Sequence, residues 1–250
     1  MDLFSGGTSR PSHSGIWLRM SNTYMIRRPL REYSDFEMTE SNVKLVAFDL
    51  DGTLLRGNTV LEVLAAGLGR LERMHELESS TAWSDIGAIE QARLEVAGWY
   101  QGVALETLLS FLPRAKVAPG VRKGMSLLRS AGVRTAIVSM TWEFAVQWFS
   151  DEFGADYCVG TKLTDDGQIV HFWPHSKPAW LAELAHSLGI ALDEVAAVGD
   201  SGGDIAMLEA VGHPYYVGLS LPPDLPNAVH IPDADMASLA KTILMQGPTA

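Results

Sequence analysis

The sequence VAFDLDGTLL, which runs from Val46 to Leu55, follows a short apolar run with two carboxylates separated by one residue. The apolar residues predict a buried β-strand, and Asp49 and Asp51 come at its carboxyl end. Two negative charges this close together repel each other. A strand that ends in such a pair therefore indicates that a compensating group lies nearby.

Beyond residue 41, short apolar runs alternate with helical patterns, which is typical of an α/β fold with a parallel sheet. The predicted strands are 44–48, 135–139, 195–199 and 215–219. Because these runs are continuously apolar, we expect both faces of the sheet to be covered. Helices are predicted after Gly120 and from Pro178, and they end near Gly132 and Gly189.

One interval breaks this alternation. Residues 56–117 show one helical pattern after another, which is far more than a crossover between two strands needs. We therefore predict a helical cap domain, 56–117, inserted into a core formed by 42–55 and 118–250. Residues 161–168 predict a β-hairpin, and residues 1–41, which have no amphipathic period, predict a flexible extension.

Composition limits the possible partners and compartments. The net charge of −11 argues against nonspecific binding to nucleic acid or to anionic membranes. Cys158 is the single cysteine, which excludes an intramolecular disulfide and a cysteine-based metal cluster. A single cysteine fits a reducing cytosol and no apolar run is long enough to span a bilayer, so we expect a cytoplasmic protein. We also expect either a monomer or a homodimer.

Polar residues collect where the predicted strands end. Asp49 and Asp51 follow the first strand, Ser139 closes the second and Asp200 follows the third. In open α/β sheets, ligands bind at this carboxyl edge. An oxygen-rich cluster without sulfur or imidazole suits Mg²⁺, whose charge would offset the repulsion.

Two further residues are predicted to face this edge. Lys177 begins the helix that contains Pro178, and Asp204 follows Asp200 by four residues in GDSGGDIAML. The full order, Asp-x-Asp-Gly-Thr, a strand-end Ser, a Lys and Gly-Asp-Ser-x-x-Asp, resembles the haloacid dehalogenase superfamily of phosphohydrolases over residues 43–221. The insertion and the stretches 125–145 and 181–208 resemble its phosphoserine phosphatase-like branch. The resemblance implies a Rossmann-like parallel core with the helical cap after the first strand.

The resemblance also implies a role for each acid. Asp49 would attack phosphorus to give an aspartyl-phosphate, and Asp51 would act as general acid and then as general base. Mg²⁺ would lie between the Asp49 carboxylate, the Asp51 backbone carbonyl and Asp200, while Asp204 would orient Lys177 or the metal's water shell. The phosphoryl oxygens would be held by Thr53, Ser139 and Lys177.

The substrate-reading positions depart from that branch. Asn58 and Val96 stand where its members carry a Glu for the substrate ammonium and an Arg for the carboxylate, and this predicts a substrate other than phosphoserine. Arg93, one turn before Val96, is the predicted replacement cation. Trp142 is predicted to form part of an aromatic wall. Asn58, Arg93 and Trp142 are therefore the candidate substrate-recognition residues.

The function predicted from the sequence is magnesium-dependent hydrolysis of a small phosphorylated metabolite. The acid at position 51 favours hydrolysis. Dehalogenases of the superfamily lack an acid two residues after the nucleophile, and the ion pumps of the superfamily carry Thr at that position. Three alternatives remain open at this point. They are phosphotransfer to an alcohol, hydrolysis of phosphoserine itself, and a catalytically idle binding protein.

Overall fold

The computed structural model describes residues 17–20, 24–27, 42–82 and 85–245. Its strands are β1 (Trp17–Met20), β2 (Tyr24–Arg27), β3 (Leu45–Phe48), β4 (Arg134–Trp142), β5 (Tyr157–Leu163), β6 (Ile169–Val170), β7 (Val195–Gly199), β8 (His213–Tyr216) and β9 (Val229–His230). Its α-helices are α1 (Val60–Gly67), α2 (Leu71–Ser80), α3 (Ile86–Trp99), α4 (Leu105–Leu109), α5 (Val121–Ser130), α6 (Glu143–Phe153), α7 (Ser176–Ser187), α8 (Ile205–Glu209) and α9 (Met236–Leu244).

The predicted α/β fold is confirmed. Within the described ranges the sheet has the order β1-β2-β5-β4-β3-β7-β8-β9, and β6 pairs with β5. The six strands β5, β4, β3, β7, β8 and β9 are parallel to one another. Strands β2 and β6 pair antiparallel with β5, and β1 pairs antiparallel with β2. Strand β3, which carries the opening motif, lies in the centre between β4 and β7.

Both faces of the sheet are covered, as the apolar runs predict. Val46 and Phe48 point into one core cluster, together with apolar residues of α5, α6 and α9. Leu45 and Ala47 point into a second cluster, which α7 and α8 complete. Side chains of a strand alternate between faces, so a strand buried on both sides has no polar position until it ends. The first polar residue after β3 is Asp49.

The strand bounds differ from prediction in two places. β4 continues to Trp142, and its pairing with β5 shifts register between Val138 and Trp142. Ser139 therefore lies in an irregular part of a longer strand and does not close it. β8 begins at His213, because it pairs with β7 from Ala196 onwards. The predicted hairpin is confirmed, since β5 and β6 pair antiparallel around residues 164–168.

Helices α1 to α4 all fall within residues 56–117, which confirms a helical insertion after the first core strand. The two connections to the insertion run side by side: the Arg56 N–H donates to the carbonyl of Lys116, and the Ala118 N–H donates to that of Leu54. Thr59 begins α1 with a capping box to Glu62. The insertion is therefore anchored next to the carboxyl edge of β3.

The predicted N-terminal extension is described only in part. β1 and β2 pair with each other, and β2 meets β5 at Ile26 and Tyr157. The other residues of 1–41 lie outside the described ranges. Among the helices that the structure describes, none has the length and apolar character needed to cross a membrane.

Candidate active site

The register of the sheet brings the predicted residues to one edge. Phe48 pairs with residues of β4 and of β7, so the residues that follow these positions emerge at the same level. The Asp49 N–H donates to the Val198 carbonyl over 2.9 Å, which continues the ladder by one step. Asp49, Ser139 and Asp200 consequently share the carboxyl edge that the sequence predicts for them.

Lys177 is the electrostatic centre of this edge. It lies in the first turn of α7 and is fully buried. Its Nζ donates to Asp49 Oδ1 over 2.7 Å and to Asp204 Oδ1 over 2.6 Å. Burial alone would lower the pKa of Lys177, but the two carboxylates raise it above its ordinary value. The ammonium therefore stays charged and holds both acids in place.

Asp204 fixes the loop after β7. Its Oδ2 accepts hydrogen bonds of 3.1 Å from the backbone N–H groups of Asp200 and Ser201. The fit is close, since a Cβ on Gly199 would lie 2.4 Å from the Cβ of Asp204. Asp204 thus connects Lys177 to the segment that carries Asp200, in keeping with the orienting role that the family resemblance implies.

Asp51 and Asp200 are held by separate partners. Asp51 Oδ1 accepts a 2.7 Å hydrogen bond from the Val60 N–H at the start of α1, which ties it to the insertion. Thr53 Oγ1 donates to Asp200 Oδ1 over 2.8 Å. Gly52, which lies in the chain between Asp51 and Thr53, has φ +91°, and a Cβ there would lie 2.1 Å from Asp200 Oδ2. Glycine is therefore required by both backbone conformation and space.

The crowding of acids changes their pKa values. Burial, and after it the charge of Asp204, raises the pKa of Asp49 well above its usual range despite Lys177. Burial raises the pKa of Asp51 to about 7, against the opposing Val60 hydrogen bond. Burial likewise raises the pKa of Asp200 to about 6. One ammonium does not neutralise this cluster, so a further cation would stabilise it.

The donor set fits a hard divalent cation. Carboxylate oxygens of Asp49, Asp200 and Asp204 lie within 4.8 Å of one another. All donors are oxygen, which is the ligand type that Mg²⁺ prefers. Since both oxygens of Asp204 already accept hydrogen bonds, Asp49 and Asp200 are the carboxylates left to serve as ligands.

Two of the three predicted phosphate-binding side chains contact the acids of this edge. Lys177 lies against Asp49, and the buried Thr53 bonds to Asp200. Ser139 is also buried, and its Oγ accepts a 3.3 Å hydrogen bond from the Thr141 N–H in the irregular part of β4. These three residues come from different segments, 53, 139 and 177, which spacing along the chain alone does not bring together.

A cavity of about 260 Å³, which we call the cap cavity, lies between the insertion and the sheet edge. Asp51 lines this cavity, together with Met140 and Thr141 of β4. Most of the remaining wall is apolar: Leu61, Met74, Leu77, Ile89, Val96 and Trp142. The helical patterns of residues 56–117 did not predict this cavity, because periodicity identifies the apolar face of a helix but not which part of that face stays uncovered.

The three candidate substrate-recognition residues have different surroundings. Trp142 lines the cap cavity and meets Tyr100 edge-to-face, with ring centroids 5.8 Å apart. Asn58 is not among the lining residues, and its Oδ1 accepts a hydrogen bond from the Lys116 N–H over 2.8 Å. In this position Asn58 joins the two connections of the insertion.

Arg93 lines the cap cavity, but its guanidinium binds the core. It donates to the carbonyls of Met140 and Phe172 and to Nδ1 of His171, over 3.2, 3.4 and 3.0 Å. It also lies 4.6 Å from the ring centroid of Trp173. Burial lowers the pKa of Arg93 to about 10, so it remains charged at neutral pH. Arg93 thus connects α3 of the insertion to the segments after Ser139 and β6.

Comparison with known proteins identifies the family of this fold. The model for haloacid dehalogenase-like hydrolases matches residues 46–209, from the first core strand to the end of α8. The chain belongs to the haloacid dehalogenase-like hydrolase family. The match includes the Asp49–Asp51 motif, the whole insertion, Lys177 and the Asp200–Asp204 loop, and the predicted superfamily is therefore confirmed.

Similar curated proteins of the family are phosphoserine phosphatases. One from Archaeoglobus fulgidus is 27% identical over 192 residues, which are 73% of this chain and 54% of that protein. One from Methanocaldococcus jannaschii is 26% identical over 69% of this chain and 84% of that protein. This chain therefore spans about half the length of the first relative and most of the second.

Solved structures show the same fold. A structure described as a phospho-aspartyl intermediate analogue of phosphoserine phosphatase has a TM-score of 0.65 at 22% identity, and covers 80% of this chain and 98% of its own. A substrate-bound phosphoserine phosphatase complex also has a TM-score of 0.65, with 23% identity. At 22% and 23% identity these two structures show that the fold is shared. The family match and the curated relatives support the phosphoserine phosphatase-like branch.

Proposed function

We propose that this chain is a magnesium-dependent phosphatase that hydrolyses a small phosphomonoester through an aspartyl-phosphate on Asp49. The observation that carries the proposal is the position of Asp49. It lies buried at the end of the central strand, held by Lys177, while Asp51, two residues later, is held separately by the insertion. One acid is thus fixed for attack and a second, with a pKa of about 7, is free to exchange a proton.

The first half-reaction transfers the phosphoryl group to the protein. The carboxylate of Asp49 attacks phosphorus, and the bond between phosphorus and the leaving oxygen breaks. Protonated Asp51 gives its proton to that oxygen, so the product leaves as a neutral alcohol. An acid with a pKa near 7 is partly protonated at neutral pH and suits this step.

The second half-reaction releases phosphate. Asp51, now deprotonated, accepts a proton from a water molecule that attacks phosphorus, and the bond between phosphorus and Asp49 breaks. Magnesium, which Asp49 and Asp200 would hold, supplies positive charge to the phosphoryl oxygens. Lys177, Ser139 and Thr53 would orient those oxygens, since phosphoryl transfer depends mainly on positioning and charge neutralisation.

Phosphate release from p-nitrophenyl phosphate, with magnesium or with EDTA, tests the proposal. We expect turnover with magnesium alone, and Asp51→Asn should lower kcat by about 10²- to 10⁴-fold, the usual contribution of a general acid–base group. A wild-type protein without magnesium-dependent turnover would contradict the proposal and favour an idle binding protein. Adding glycerol as an acceptor, and measuring glycerol phosphate, distinguishes hydrolysis from phosphotransfer.

A second candidate is hydrolysis of phosphoserine itself. The names of the curated relatives favour it. The apolar wall of the cap cavity, with Val96 on it, favours a different leaving group. The ratio of kcat/KM for phosphoserine to that for p-nitrophenyl phosphate separates the two, and we expect a ratio below one.

A further inference from the structure

The cap cavity lies on the leaving-group side of the candidate active site. Asp51, the proposed proton donor to the leaving oxygen, forms part of its wall, and so do Met140 and Thr141, which directly follow Ser139. In the proposed function, a phosphoryl group at Asp49 would therefore have its ester oxygen directed toward Asp51 and this cavity. Whatever the oxygen is attached to must be accommodated there.

The wall of the cavity is apolar over most of its area. Met74, Leu77, Val96 and Trp142 are at most 7% exposed, so each is fixed by packing on its other sides. They come from α2, α3 and β4 and surround one space. Most of this wall gives a polar body no partner for its hydrogen bonds, whereas an apolar body gains free energy from leaving water.

The charges around the cavity do not suit a substrate carboxylate. Among the described residues on its wall, Arg93 is the only cation, and three acceptors of the core already bind its guanidinium. A substrate carboxylate would have to displace these contacts. The two acids on the wall, Asp51 and Glu78, would repel it.

We infer that the leaving group is the apolar body of an alkyl or aryl alcohol, bound in the cap cavity against Met74, Leu77, Val96 and Trp142. The inference rests on the proposed function for the phosphoryl end of the substrate. The size of this leaving group follows from the volume of the cap cavity, which is about 260 Å³. Since a cavity of about 150 Å³ holds benzene, this one has room for about ten non-hydrogen atoms.

A series of n-alkylphosphonates, from methyl to dodecyl, tests the inference without requiring turnover. Their dissociation constants are measured by calorimetry with wild-type protein and magnesium. We expect each added methylene to tighten binding about fourfold until the cavity is full, and longer chains to gain nothing more. Aminoethylphosphonate and 2-amino-4-phosphonobutanoate, which carry an ammonium or an ammonium and a carboxylate, should bind more weakly than butylphosphonate.

A pair of variants locates the chain in the cavity. Ala92 lines the cavity from α3, so Ala92→Leu should shorten the best-binding phosphonate by about three carbons. Gln91→Leu places the same side chain at the preceding position, which is exposed, and should leave the chain length of the best-binding phosphonate unchanged. Circular dichroism confirms that both variants fold; if Ala92→Leu does not, the wild-type series decides by itself.

Two results would overturn the inference: dissociation constants that do not depend on chain length, or tighter binding of the amino phosphonates than of butylphosphonate. Turnover of the matching alkyl phosphates separates this inference from the proposed function. Hydrolysis without a length preference overturns the inference alone. A length preference in binding, with no magnesium-dependent hydrolysis of any ester, supports the apolar site and contradicts the proposed phosphatase.

Discussion

The sheet edge and the cap cavity differ in almost every physical property. At the edge, Asp49, Asp204 and Lys177 form a buried network in which each side chain is fixed by short hydrogen bonds. In the cavity, the wall is apolar and is fixed by packing. The first arrangement stabilises charge and suits phosphoryl chemistry, while the second selects by shape and hydrophobicity. In the proposed function, the reaction type and the substrate preference therefore reside in separate regions that meet at Asp51.

The largest expected effect is at the edge. Asp49→Asn keeps the size of the side chain but removes the proposed nucleophile, so kcat should fall by at least about 10⁴-fold. Asp165→Asn, in the exposed turn between β5 and β6, makes the same chemical change away from the site and should retain wild-type activity. Phosphate release with magnesium measures both. Activity of Asp49→Asn near the wild-type level would remove the edge from the mechanism.

Removing the buried cation tests the charge balance of the edge. Lys177→Met leaves Asp49 and Asp204 buried without their common partner, which should cost about 3–5 kcal/mol of unfolding free energy at neutral pH. Lys123→Met removes an exposed lysine of α5 and should change stability by less than about 0.5 kcal/mol. Urea unfolding in EDTA gives both values. Equal stabilities of the two variants would contradict the network.

Asp51 should lower the stability of the metal-free protein at neutral and higher pH. Its pKa of about 7 in the folded state lies above its usual value, so the folded protein binds an extra proton and loses stability as pH rises from about 4 to about 7. Asn carries no charge and keeps the acceptor for the Val60 N–H. Asp51→Asn should therefore be more stable than wild type by about 1–3 kcal/mol at pH 8 in EDTA.

The same comparison has a distinctive pH signature. The stability advantage of Asp51→Asn should shrink toward zero at about pH 4, where the wild-type carboxyl is protonated in the folded protein. Thermal or urea unfolding at pH 4, 6 and 8 measures this. If Asp51→Asn is less stable than wild type at pH 8, burial of the ionised Asp51 carboxylate does not destabilise the folded protein.

An effect on stability no larger than that of Asp51→Asn is expected where the cap meets the core. Arg93→Met removes the hydrogen bonds to Met140, Phe172 and His171 and should lower the unfolding free energy by about 1–3 kcal/mol. Arg73→Met removes an arginine that pairs with Glu76 and Glu95 on the exposed surface of the insertion, and should lower the unfolding free energy less than Arg93→Met does. Similar losses in both variants would mean that Arg93 does not join the two regions.

Prediction from sequence succeeded at the edge because its information is local. Asp49 and Asp51 follow an apolar run, and Asp200 follows another, so the rule that parallel strands present their carboxyl ends together places all three. The extension of β4 to Trp142 was not predictable in this way, because a register shift depends on the neighbouring strand and not on the sequence of β4 alone.

The cap cavity shows where sequence reasoning stops. Met74, Leu77 and Val96 belong to apolar helix faces, and periodicity does not show that these faces leave a space between them. Arg93 was predicted on the substrate side from its place one turn before Val96, yet the acceptors of its guanidinium lie near residues 140 and 172. Contacts between segments so far apart in sequence follow from the tertiary fold.

The most direct test of the mechanism proposed for the sheet edge is to identify the residue that carries the phosphoryl group during turnover. Wild-type protein with magnesium is mixed with its best-hydrolysed ester, quenched in acid within the first turnover and examined by peptide mass spectrometry, with borohydride to trap an acyl phosphate. We expect the phosphoryl group, or the borohydride-reduced side chain, on Asp49. Turnover with the phosphoryl group on another residue, or with no covalent intermediate at Asp49, would contradict the account.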